Sequence, residues 1–122
     1  MDETAVIGYF LGLLDQIKLA HWATMSYAKH KALDDLHDSL SKSVDLFVEA
    51  YIGRFKKQPL KKVVVEMRAE SDLSIEKFVE AERDRIDRDL CKKAFLRAPE
   101  LQNILQEMMA DMDRALYLLK LD

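Results

Sequence analysis

Residues 27–55 read YAKHKALDDLHDSLSKSVDLFVEAYIGRF, and this stretch decides the fold. Its apolar positions Leu33, Leu36, Leu40, Val44, Phe47, Tyr51 and Phe55 recur at steps of three and four, the stripe of a helix that faces a core. The spacing predicts a helix from about Tyr27 to Tyr51 or Phe55, with Ser26 as its N-cap. Gly53 is a stop signal, and Pro59 bars a long continuation.

The same period extends on both sides. Upstream, Phe10, Leu14, Ile17, His21 and Met25 form the stripe of a helix from about Glu3 to Met25, with Thr24-Met25-Ser26 as the turn between the two. Downstream, Arg54 to Ala69 reads equally as loop, short helix or short extended piece. It carries Arg54, Lys56, Lys57, Lys61 and Lys62 and then Val63-Val64-Val65. A third helix is expected from Asp72 or Ser74 to Leu96, on the stripe Ile75, Phe78, Val79, Ile86 and Leu90. Glu82 interrupts that stripe, through a slipped register, an interfacial salt bridge, or a carboxylate held inside the bundle. Pro99 suits the first position of a fourth helix, whose stripe is Leu101, Ile104, Leu105, Met108, Met112, Ala115, Leu116 and Leu119. The expectation is one all-α domain over residues 1–122, a four-helix bundle with its longer connection between helices two and three.

Composition agrees with a helical protein. Of 122 residues, 49% are hydrophobic and 34% charged, with three Gly and two Pro. The formal charge of −3, without a charged tail, does not favour non-specific nucleic-acid binding. The basic stretch Arg54 to Lys62 reads as a solvated connection, since only Phe55 supplies an aromatic among its cations. One cysteine, Cys91, forms no internal disulfide and suits a reducing compartment. Met1-Asp2-Glu3 lacks the basic start of a secretory signal, and the apolar run Ala5–Leu14 is too short to span a bilayer. The expected setting is the cytoplasm of a bacterium or of an infected host cell.

The chemistry is concentrated in one place. All three histidines, His21, His30 and His37, fall in a single window, with Asp34, Asp45 and Glu49 near them. At about 100° per residue, His30, Asp34, Asp45 and Glu49 share an arc of roughly 100° that borders the apolar stripe. Imidazole and carboxylate together are ligands for iron, manganese or zinc. In a hairpin turning at Ser26, His21 lies opposite His30, with Asp34 one turn on. Asp45 stands eleven residues beyond Asp34, roughly 16 Å along a helix, whereas metal–ligand bonds are about 2 Å. One chain therefore cannot place all five on one ion. A second copy of helix two, antiparallel across a two-fold axis, brings Asp45 and Glu49 level with His21, His30 and Asp34 and creates two shared sites.

The order His21-Trp22, His30, Asp34, Asp45, Glu49 resembles the ferroxidase signature of the Dps family of mini-ferritins. The step from His21 to His30 is three residues shorter than usual there. The resemblance covers roughly residues 10 to 55. It implies a ferritin-like bundle, two-fold-related subunits sharing di-iron-type sites, oxidation of ferrous iron by oxygen or peroxide, and often a hollow dodecamer. His21, His30 and Asp34 would come from one chain and Asp45 and Glu49 from its partner, with Trp22 and His37 as supporting residues. The same stretch, with Ala115-Leu116-Tyr117-Leu118-Leu119, also resembles short ferritin-like proteins of phages and large DNA viruses. That second resemblance implies no activity. It leaves open a non-enzymatic interaction or structural protein whose metal, if bound, only stabilises a dimer.

Overall fold

The computed structural model describes residues 3–56, 62–65, 74–92 and 98–121. The described residues form helices and connections, with no strand. Helix α1 spans Glu3–Ala23, α2 Tyr27–Phe55, α3 Ile75–Arg85 and α4 Pro99–Leu119, and α3 runs directly into a π-helical segment, Ile86–Cys91. Ser26 and Ser74 cap α2 and α3, each side-chain oxygen accepting from the amide three residues on (Lys29 and Lys77). Pro99 opens α4 at the position where a missing N–H costs nothing. The expected ends of the third helix at Asp72 and Leu96 lie outside the described residues, as does Pro59.

Side-chain pairs set the directions of the helices. His21 with His30 and Phe10 with Phe47 make α1 and α2 antiparallel. Arg54 near the end of α2 reaches Glu100 at the start of α4 at 3.9 Å, so these two are antiparallel as well. Lys29 and Glu76 pair at 3.0 Å and join the start of α2 to the start of α3, so α2 and α3 run parallel. Arg83 with Asp113, and Gln102 donating to the Cys91 carbonyl, set α4 antiparallel to α3. The start of α3 therefore lies at the opposite end of the bundle from the end of α2. Residues 63 and 64 of the connection between them lie against α1 at Gly8.

One core holds the four helices together. Phe10, Ile17, Leu33, Leu40, Phe47 and Ile86 are fully buried in it, together with Leu101, Leu105, Met108 and Met112 of α4. Phe10 meets Phe47 edge-on at 5.2 Å, a favoured geometry for aromatic pairs. No described helix is long and apolar enough to cross a membrane.

The structure departs from the sequence expectations in three places. Helix α1 stops at Ala23, so Met25 leaves the core stripe and is fully exposed in the turn. Gly53 does not end α2. The last turn is held by the Phe55 ring packed 5.1 Å from Tyr51, and the stop falls at Lys56, in the left-handed conformation at φ 54°. Glu82 lies inside, 6% exposed on the same face as Val79 and Ile86, and among the described residues it has no ion pair. Of the three readings, the carboxylate within the bundle matches its position. The π-helical segment keeps Ile86 and Leu90 fully buried while Asp87 and Lys92 pair at 3.4 Å, a five-residue step that faces in this wider turn.

Gly8 and Gly53 make a contrasting pair. A Cβ at Gly8 would stand 2.7 Å from the Val64 carbonyl oxygen, whereas one at Gly53 would meet nothing within 4 Å. Alanine gains up to about 1 kcal/mol over glycine inside a helix. Gly53→Ala is expected to raise the melting temperature. Gly8→Ala, which must push backbone away, is expected to lower it and to speed proteolysis near Val64. Equal rises in both would overturn this account of Gly8.

Candidate metal centre

The turn Thr24-Met25-Ser26 brings His21 and His30 level despite its shortness. Their rings stack with centroids 3.8 Å apart and planes 22° apart. Each ring also binds the other's backbone: His21 Nδ1 donates to the His30 carbonyl at 2.7 Å, and His30 Nδ1 to the His21 carbonyl at 2.8 Å. A carbonyl only accepts, so both Nδ1 atoms carry protons. The bonds also satisfy the fold locally. The last carbonyls of a helix have no partner within it, and His30 supplies one to the His21 carbonyl at the end of α1.

This arrangement bears directly on metal binding. With the proton on Nδ1, a neutral imidazole carries its free lone pair on Nε2, and a backbone carbonyl on the other nitrogen is a common way to orient a metal-binding histidine. His21 is 7% exposed, and its Nε2 stands 4.0 Å from Asp34 Oδ1. Two ligands at about 2.1 Å from a tetrahedral ion lie roughly 3.4 Å apart, so a modest turn of the Asp34 side chain, 41% exposed, closes the gap. These two donor atoms are of the kind that bind a divalent transition metal. The stacking adds a constraint, since nearly parallel rings do not aim two in-plane lone pairs at one point. Among the described residues no three His, Cys, Asp or Glu side chains converge to hold an ion.

The remaining candidates lie apart. Helix α2 is continuous past Asp34, Asp45 and Glu49, so Asp45 stays roughly 16 Å from Asp34. Asp45 and Glu49 are exposed. Trp22 is 68% exposed, with the Lys18 ammonium 5.9 Å from its ring centroid. His37 is half-buried. Burial, and after it the Lys18 charge, hold the His37 imidazole below the usual histidine value against the opposing carboxylates Asp38, Asp34 and Asp15. Sequence reading missed the reciprocal bonds to backbone, and it missed Tyr27, which extends the stack on His30 at 6.5 Å. The available signal was a histidine on each side of a three-residue turn ending in a capping serine.

His37 gives a pH dependence of known sign. Its folded value lies below the unfolded one near 6.5, so as pH falls the unfolded chain takes up the proton first. The stability it contributes is present above about pH 6.5 and lost on acidification through the folded value. Melting temperature followed from pH 8 to pH 5 should fall less steeply in His37→Gln than in the wild type, and parallel curves would sink the assignment.

The chain matches no curated protein and no solved structure. A family model does match, over residues 21–119. The match begins at His21 and takes in all five candidate ligands, the crossing connection and the later helices. The chain belongs to that family, DUF5856, a family of unknown function.

Proposed function

We propose that this protein is a ferritin-like, Dps-like metal-binding protein that works as a two-fold dimer and oxidises ferrous iron at two shared sites, for iron sequestration or protection against peroxide. The observation that carries the reading is the His21–His30 pair, whose protonated Nδ1 atoms leave both Nε2 lone pairs free, that of His21 standing 4.0 Å from Asp34. Support also comes from the parallel α2 and α3 with one long crossing connection, the helix order of ferritin-like bundles. In this reading Asp45 and Glu49 of the partner complete each site. Ferrous iron is the substrate, giving one electron per ion to oxygen or peroxide. Manganese and zinc compete for the same donors. His21, held by the fold, supplies a fixed nitrogen, while the exposed carboxylates move to meet the ion. Anionic oxygens favour the more highly charged ferric product, which makes electron loss easier.

A second reading is favoured by the stacking itself. The two imidazoles already bind backbone and each other, a role that needs no metal. The protein is then a non-enzymatic helical interaction protein.

Anaerobic ferrous titration followed by air separates the two. The first reading expects ferric absorbance to rise faster than in buffer, and Asp45→Ala or Glu49→Ala to slow it about tenfold or more. A wild-type rate equal to buffer overturns the oxidase reading.

A further inference from the structure

We infer that the α1–α2 turn end of the bundle docks on an anionic lipid bilayer, with Trp22, Met25 and Tyr27 seated in the headgroup layer and lysines around them. The inference goes beyond the metal reading and does not depend on it. Ten large hydrophobic side chains are exposed among the described residues, and six of them, Leu19, Trp22, Met25, Tyr27, Tyr117 and Leu121, gather at this one end. Met25 is fully exposed at the turn, and Tyr27 beside it is 78% exposed. The end of α4 belongs here because Leu118 and Ala32 line one small groove. Leu19 precedes His21 by two residues and so stands level with Ala32, two beyond His30. At about 1.5 Å per residue, these side chains spread over roughly 9 Å from the turn at Ser26. Apolar residues scattered singly on a surface mean little, whereas a gathered patch marks a contact.

Charge follows the same end. Among residues 18–33, 74–78 and 117–121 the cations are Lys18, Lys29, Lys31, Lys77 and Lys120, and the one carboxylate, Glu76, is held by Lys29. Lys18, Lys31, Lys77 and Lys120 have no ion pair among the described residues. The whole chain carries −3, so this is a positive end on an acidic protein. An anionic bilayer complements both features, with phosphates at the level of the lysines and apolar depth for the tip. Tryptophan and tyrosine favour that layer, and lysine stems lie along it with the ammonium outward. Interfacial elements enter by about 5–10 Å, the span of this patch. Met25 and Tyr27 project from the tip of a hairpin, a shape that a soft surface accommodates without a matching groove. Backbone amides of the turn are already satisfied, which lowers the cost of leaving water. The Thr24 amide donates to the Ala20 carbonyl, the Ser26 amide to Thr24 Oγ1 and the Lys29 amide to Ser26 Oγ.

Trp22 is the one tryptophan of the chain, so its emission reports on the tip directly. Vesicle flotation and Trp22 fluorescence of the full chain test the inference, with EDTA present and with phosphatidylcholine vesicles with and without phosphatidylglycerol. Flotation and a blue shift are expected with phosphatidylglycerol, and neither with phosphatidylcholine alone. Met25→Glu sets a charge at the tip without touching the core and should weaken binding about tenfold or more. Lys31→Glu should weaken it about fivefold or more. Lys42→Glu, the same change of charge roughly 16 Å further along α2, should leave it unaltered. All three positions are exposed, and thermal melts confirm that the variants fold. Full binding by Met25→Glu or Lys31→Glu, or an equal loss in Lys42→Glu, overturns the inference. So does absence of flotation with phosphatidylglycerol. Emission that is already blue in the free protein and unchanged by lipid assigns the tip to a protein contact and overturns it as well.

Discussion

The pair of hydrogen bonds between His21 and His30 sets the rest of the molecule. Each bond is worth roughly 1 kcal/mol net, but both act across a turn of three residues, so they fix where α1 stands against α2. Slipping that register by one residue would break both bonds and unstack the rings. It would also move Phe10 off Phe47, the contact at the centre of the core. The same bonds commit both Nδ1 atoms to backbone and turn the chemistry toward Nε2. Packing and site thus share one cause.

The second constraint is the parallel course of α2 and α3. The Lys29–Glu76 pair, partly shielded on both sides, ties their starting ends together, and residues 63 and 64 of the connection lie against α1 at Gly8. There the chain comes so close that only glycine fits at position 8. A glycine inside a helix is ordinarily a loss. Here it permits the close approach of the Val64 carbonyl to α1.

The outer face of α2 behaves differently from its buried face. The apolar stripe is fully used, whereas Lys31, Asp38, Lys42, Asp45 and Glu49 have no ion pair among the described residues. Exposed charges cost little in water, so such a pattern survives without stabilising the monomer.

Much of this was legible in the sequence. The period of α2, the cap at Ser26, the proline opening α4 and the grouping of His21, His30 and Asp34 are local matters, governed by helix spacing and turn chemistry. Where α1 ends, why Lys56 and not Gly53 stops α2, and that Glu82 is buried depended on what packs nearby, which spacing does not encode. The sequence by itself determined the helices and the roughly 16 Å that separates the two halves of the ligand set, because helical rise is a constant. Only the tertiary structure decided that the histidines stack and give their Nδ1 protons to each other's backbone. That outcome depends on the approach of two helices, and no residue pattern along one of them specifies it.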